Sequence, residues 1–433
     1  MLHELRYYKG LVSSGIGKDV ILTFLSQIFI MLVLLCSNKL LSNILSVEDF
    51  GRYNIIRRGS SVISFILLGG LGISLPRYLS LYIAKKFYKN SICTILASWL
   101  YILIITVITF VVYCLLYERA AYLVIGESDL SFYLLCFLYS FSLALNSYIY
   151  AYFRGLGHFK QFNVSQMICQ LLMLLPFIFP IVNLSLIICL WTCLNLAFSI
   201  TILIIEYHRY LNVITPMSSY IQCVKKQLVV ITSYSLPRLV GDFFLFAYSA
   251  FPVIYIGNKF GLYSASFYSV GVSLVTMVTP IFSFLGVILL PAVSKLFSEN
   301  RLKDANRIVS KLALGYSAIA LMMTVLLFFG MRYMISIFFS DDYISATNIG
   351  RVISLSLLPQ AMYLLYRNPN DAVSEVPFNT IIVGVSFLIL VVGLLQSSSL
   401  EQCAYVYLYA AIFQGVTSFL TWFVLIKKRL HGV

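Results

Sequence analysis

Apolar residues run along this chain in long blocks, separated by short stretches that carry most of its Lys, Arg, Asp and Glu. A block of ~20 apolar residues is long enough to cross a bilayer as a helix. The pattern predicts six such spans at 20–44, 57–75, 92–116, 130–152, 164–181 and 184–206. It predicts six more at 228–255, 264–290, 308–330, 344–365, 377–395 and 404–426. The spans at 57–75 and 164–181 are short or interrupted, as broken helices are. Pro and Gly punctuate the blocks, notably Gly69-Gly70-Leu71-Gly72, Pro76, Pro176, Pro237 and Pro291. Such breaks are tolerated where helices pack together or line a cavity.

Composition supports this reading. Of 433 residues, 61% are hydrophobic and 11% charged, and the mean hydropathy is +0.93. A soluble fold does not need that, so the expected class is an all-α polytopic membrane protein with about twelve transmembrane helices. The net charge of +14 sits in many short loops rather than one patch, which argues against nucleic-acid binding. Lys and Arg concentrate on alternate loops, including Lys85, Lys86, Lys89, Lys225, Lys226 and Lys427. The opposite loops hold most of the acids, among them Glu48, Asp49, Glu127, Asp341 and Asp342. By the positive-inside rule both termini are expected in the cytoplasm. The first apolar run is too long for a cleavable signal peptide and lacks a small-residue cleavage site.

Enzyme and cofactor motifs fail. Gly10-Leu-Val-Ser-Ser-Gly15-Ile-Gly17-Lys18 resembles a phosphate loop faintly, but Lys18 does not follow Gly15 and no Ser or Thr follows Lys18. The four histidines are isolated, and the nine cysteines are scattered through apolar segments, where they read as core or lipid-facing thiols. No metal, cofactor or catalytic residue is expected. The tyrosines at 148, 150 and 152, and at 405, 407 and 409, read as interfacial belts in preference to sugar-stacking platforms.

The informative residues are charges inside the spans. Arg238 and Asp242 lie near the middle of the seventh span. At ~1.5 Å per residue Arg238 is about 15 Å from one end, where an ionised side chain costs about 2.5–3.5 kcal/mol on insertion scales. Their i, i+4 spacing puts both on one helical face, so each offsets part of the other's cost. Lys39 falls late in the first span, Arg57 and Arg58 at the start of the second, and Arg351 two turns into the tenth. A cavity lined by such cations attracts a phosphate or pyrophosphate, to which Arg offers paired hydrogen bonds. The expected substrate contacts are Arg238, Arg58, Lys39, Arg351 and Arg57, with Asp242 as an ion-coupling group. Set against this, Lys39, Arg57, Arg58 and Arg351 could snorkel toward headgroups, and Arg238 with Asp242 could form a purely structural pair.

Phe50-Gly-Arg-Tyr53 is echoed by Phe260-Gly-Leu-Tyr263, and Leu75-Pro76 by Leu290-Pro291. The echoes suggest two related halves, a feature of transporters that bind at a repeat interface. With Leu45-Ser-Val-Glu-Asp-Phe-Gly-Arg-Tyr53, Gly72-Ile-Ser-Leu-Pro-Arg-Tyr78, Tyr152-Phe-Arg-Gly-Leu-Gly157 and Pro237-Arg-Leu-Val-Gly-Asp242, these motifs span most of the chain. The chain resembles the Wzx-type O-antigen flippases of the multidrug/oligosaccharidyl-lipid/polysaccharide exporter superfamily. The resemblance implies two six-helix bundles, here 1–210 and 227–433 with a cytoplasmic linker at 211–226. It also implies transfer of an undecaprenyl-pyrophosphate-linked oligosaccharide to the periplasmic leaflet of the bacterial inner membrane, ion-coupled, by alternating access. The glycan polymerase and chain-length machinery are then candidate partners. A drug/cation antiporter of the same architecture would favour acidic cavity residues, of which Asp242 is nearly alone. A glycan polymerase or ligase would carry a large periplasmic loop, for which the chain has no room.

Overall fold

The computed structural model describes residues 15–119, 121, 129–179, 182–211, 220–299, 301–374 and 376–430. Within them the chain is helical. In order the helices are α1 (Gly15–Ile44), α2 (Val47–Leu68), α3 (Leu71–Ala84), α4 (Tyr88–Leu115), α5 (Leu130–Gly155), α6 (Phe159–Leu172) and α7 (Leu184–Leu211). There follow α8 (Ile221–Phe260), α9 (Leu262–Ser298), α10 (Leu302–Phe338), α11 (Thr347–Ser354), α12 (Leu357–Val373), α13 (Phe378–Gln396) and α14 (Leu400–Leu430). Among the described residues, eleven helical segments, with α2 and α3 taken as one, are long and apolar enough to cross a membrane, or twelve if α11 with its preceding 3-10 turn and α12, bent by 42°, count as one span. The chain is a multi-pass membrane protein.

The helix surfaces show why. Along α10, Ala305, Val309, Ala313, Tyr316, Ala320, Thr324, Leu327, Met331 and Ile335 are buried at helical spacing. The opposite face exposes Leu314, Leu321, Leu326, Phe329 and Tyr333. Apolar residues on both faces of an outer helix call for a hydrocarbon solvent.

The chain divides into two compact units, 1–37 with 59–239 and 38–58 with 240–433. The boundaries therefore fall inside α1, α2 and α8. Residues 221–226, read above as part of a linker, already belong to α8.

In the first unit, Leu71, Leu75 and Leu79 of α3 pack with Tyr148, Ile149, Ala151 and Tyr152 of α5. The second expected span runs from Val47 to Ala84. Its break comes at Gly69 and Gly70, with φ of 57° and 77°. Both adopt the left-handed region that glycine enters without a Cβ clash. Tyr101 donates its hydroxyl to the freed Gly69 carbonyl at 2.8 Å. A Cβ on Gly70 would lie 2.9 Å from the Ser235 carbonyl oxygen, so α3 and α8 meet there backbone to backbone. The span expected at 164–181 is also interrupted, with α6 giving way to a 3-10 turn at Leu175–Ile178.

In the second unit the two sequence echoes touch. A Cβ on Gly51 would sit 2.1 Å from the carbonyl oxygen of Leu262. Phe50 packs on Phe339 and Tyr343, with ring centroids 6.1 and 5.2 Å apart. Gly261 serves differently: it links α8 to α9 at φ +90°.

Two expectations are corrected by the packing. Cys93 and Cys223 are joined in a disulfide rather than lying as isolated thiols, because α4 and α8 bring their Cα atoms to 5.9 Å. The tyrosine runs are not simple belts: Tyr148, Tyr152 and Tyr407 are buried, whereas Tyr405 and Tyr409 are exposed. Alternation on a helix puts residues i and i+4 on one face and i+2 on the other, so such runs cannot form one stripe.

Candidate functional site

Arg57 and Arg58 do not open a span. Because α2 begins at Val47, they lie in mid-helix. The run Arg57-Arg58-Gly59-Ser60-Ser61 dilutes local hydropathy and makes the middle of the helix look like its edge.

Arg58 donates through Nη1 to the carbonyl oxygen of Ser249 on α8, at 2.8 Å. A guanidinium carries five N–H donors, and this is its one hydrogen bond among the described residues. Its titratable neighbours are Arg57, Tyr407, Tyr268 and Tyr53. No carboxylate pairs with it among the described residues. Tyr407 and Tyr268 belong to a packed aromatic cluster. Tyr248 and Tyr407 have ring centroids 5.5 Å apart, and Tyr268 meets Tyr407 edge-on at 6.4 Å. Gln360 of α12 donates to the Tyr407 hydroxyl at 3.1 Å. The Tyr268 hydroxyl is buried and has no hydrogen-bond partner among the described residues.

A permanently charged side chain within a membrane-crossing helix, beside a second cation, is costly unless something offsets it. Here the protein supplies one carbonyl and polarisable rings. The arrangement offers a ligand spare N–H donors in a fork and a positive field. These match an anion such as a phosphate.

The other candidates are engaged differently. Lys39 sends its ammonium to the carbonyl oxygens of Ser336, at 2.9 Å, and Phe339. Ser42, one turn on, accepts the backbone N–H of Ser340 at 3.0 Å. Together they close the C-terminal end of α10, where carbonyls lack helical partners and the helix dipole favours a cation. Arg351, on α11, donates Nε to the Phe328 carbonyl at 3.1 Å and lies 5.9 Å from the centre of that ring. Neither Lys39 nor Arg351 is among the groups facing Arg58. The backbones of Arg238 and Asp242 are part of α8, but their side chains lie outside the described residues.

Sequence reading missed the ring of tyrosines. Tyr53 belongs to the Phe50–Tyr53 echo and Tyr407 to an alternating run, but their meeting with Tyr248 and Tyr268 depends on chain segments far apart in sequence. It also placed Arg77 and Arg154 in loops. Arg77 is within α3, stacked 4.4 Å from the Tyr234 ring centre and donating to its hydroxyl. Arg154, in the last turn of α5, donates to the Gly72 carbonyl at 3.0 Å.

Known proteins share this architecture. A MATE protein in complex with MaL6 superposes with a TM-score of 0.64 at 12% identity, covering 97% of this chain and 98% of that one. A multidrug resistance MATE family transporter of the MOP superfamily, inward-facing, gives 0.63 at 11%, with 97% of both chains covered. A MOP superfamily transporter from Pyrococcus furiosus, described as having a binding pocket of reverse polarity that suggests a different function, gives 0.64 at 13%, covering 97% and 98%. No curated protein matches the chain by sequence. Residues 16–297 match the family described as "Polysaccharide biosynthesis protein". That match covers well over half of the chain, across α1 to α9, and the chain therefore belongs to the polysaccharide biosynthesis protein family.

Proposed function

We propose that this protein is a flippase for an undecaprenyl-pyrophosphate-linked oligosaccharide, an O-antigen unit or similar surface glycan, and not an enzyme. It works in the bacterial inner membrane and carries its substrate from the cytoplasmic to the periplasmic leaflet. The carrying observation is Arg58, a mid-helix guanidinium with one hydrogen bond and no carboxylate partner among the described residues. A pyrophosphate supplies the missing charge and acceptor oxygens. Family membership and the transporter fold agree with this reading. Alternating access moves the loaded site between leaflets, and Asp242 is the candidate coupling carboxylate, releasing Arg238 as it binds a proton or cation.

The fold of the multidrug MATE structures favours a second reading, a drug/cation antiporter. The cationic surroundings of Arg58 oppose it, since a cationic drug calls for a carboxylate there. One experiment separates the two. The glycan is labelled in spheroplasts and in inverted vesicles, with the gene deleted and then restored. The flippase reading expects the lipid-linked unit to accumulate facing the cytoplasm without the gene and to move outward on restoration. Unchanged glycan topology, together with increased drug sensitivity in the deletion strain, would favour the antiporter. Single units that reach the outer face but are never polymerised would instead point to a polymerase or ligase.

A further inference from the structure

A polar cavity lies in the first unit, where α3 ends and α4 and α8 begin. Its volume is about 460 Å³, and its wall includes Tyr82, Lys89, Asn90, Gln222, Lys226 and Gln227. Two of these six are cations and none is an acid. The disulfide between Cys93 and Cys223 joins the two helices that form most of the wall.

Gln227 makes this more than a patch of surface lysines. Its side chain is 3% exposed. Its Oε1 accepts from the Tyr82 hydroxyl at 3.1 Å and from Thr94 at 3.4 Å. Its Nε2 has no hydrogen-bond partner among the described residues, although the side chain lines the cavity. The amide N–H groups are therefore free to donate to whatever occupies the cavity. The floor thus offers amide hydrogens, and the rim offers the ammonium groups of Lys89 and Lys226, both exposed. Lys89 lies 5.3 Å from the ring centre of Tyr220, which draws its head toward α8. Donors and cations together, with no carboxylate among the described residues of the wall, select a compact multi-oxygen anion.

Position narrows the source. The cavity sits beside the end of the Val47–Ala84 span and the start of the Tyr88–Leu115 span. Such levels hold lipid headgroups, and basic pockets between transmembrane helices bind the phosphates of anionic lipids. Phe87 and Tyr88 at the start of α4, and Ile221 and Val229 on α8, are exposed close in sequence to the lining residues, as residues bordering acyl chains are. The lysine-rich ends of these segments also lie on the side that the charge asymmetry assigns to the cytoplasm.

We infer that this cavity is a binding site for the phosphate of an anionic lipid headgroup, held by Lys89, Lys226 and the Gln227 amide. The site uses none of the residues around Arg58 and does not rest on the transport reading.

The test uses the purified full-length protein and native mass spectrometry with phosphatidylglycerol, phosphatidylcholine or inorganic phosphate. One phosphatidylglycerol is expected to stay bound in preference to phosphatidylcholine. Lys89→Gln with Lys226→Gln should weaken it roughly 30-fold, the loss expected for two membrane-surface cations. Lys85→Gln with Lys86→Gln removes the same charge from neighbouring exposed positions and should leave binding within about twofold. All variants replace exposed side chains, and equal lipid-free melting temperatures check that each is folded. Competition by millimolar inorganic phosphate would assign the same site to free phosphate rather than lipid. Equal retention of the two lipids, or equal loss in the two double variants, would overturn the proposal.

Discussion

Lys39 and Arg58 are both cations in membrane-crossing helices of the second unit, yet the protein uses them in opposite ways. Lys39 is satisfied from within. The carbonyls of Ser336 and Phe339 receive its ammonium, and those oxygens stand at a helix end that needs a donor. Arg58 is left short. One carbonyl meets one of its five N–H groups, its neighbour Arg57 adds like charge, and its other titratable neighbours are tyrosines. Position within an apolar helix does not by itself say which of the two can hold a ligand. A count of which donors already have acceptors does, because a saturated cation has little left to offer a ligand.

The largest effect should come from Arg58→Ala. If the guanidinium binds pyrophosphate, its loss removes two or more charge-assisted hydrogen bonds, each worth about 1.5–3 kcal/mol. Outward movement of the lipid-linked unit should fall at least about 100-fold, measured in inverted vesicles at matched protein levels. The unliganded protein should melt no lower than the wild type, since an uncompensated charge has been removed. A clear drop in melting temperature with transport per folded molecule preserved would put Arg58 in the same class as Lys39 and erase the contrast.

Arg58→Lys should be milder. It keeps the charge but replaces the planar fork with a point charge on a flexible stem. About tenfold slower transport is expected, and full recovery would mean that charge alone matters. Lys39→Met should show the reverse pattern: a stability loss of about 1–3 kcal/mol from carbonyls left without a donor, with transport unchanged per folded molecule. Thermal unfolding in detergent reads the first quantity, and vesicle transport normalised to folded protein reads the second. A transport defect in Lys39→Met larger than its loss of folded protein would return Lys39 to the list of substrate contacts.

Helix type and approximate span number were legible in the sequence because each apolar block must match the bilayer thickness. The interruptions at 57–75 and 164–181 were legible too, through Gly69-Gly70 and Pro176. The start of α2 was not, since Arg57, Arg58, Ser60 and Ser61 lower hydropathy in the middle of a helix that runs from Val47. Arg58 was nameable as an intramembrane cation, but its environment was not: Ser249 and Tyr407 lie 191 and 349 residues away along the chain. The acceptors of Lys39 are 297 and 300 residues away, and nothing local foretells that a lysine in α1 will close α10. The echo of Phe50–Tyr53 in Phe260–Tyr263 pointed to a repeat, yet not to different uses of its two glycines. Gly51 lets a backbone carbonyl approach, whereas Gly261 supplies a left-handed turn.

The smallest effect comes from a second lysine cap that differs from Lys39 in exposure. Lys259, at the end of α8, donates to the carbonyls of Leu395 at 3.2 Å and Ser397 at 2.7 Å, closing the C-terminus of α13. It performs the same task as Lys39, but it is exposed where Lys39 is half-buried. Once the lysine is removed, water or headgroups can hydrogen-bond the α13 carbonyls, which the more enclosed end of α10 permits less readily. Lys259→Met should therefore cost less than about 1 kcal/mol, a shift of no more than a few degrees in thermal unfolding. If its cost equals that of Lys39→Met, burial is not what makes the Lys39 cap matter. The distinction drawn between the two cations of the second unit would then rest on hydrogen-bond count alone.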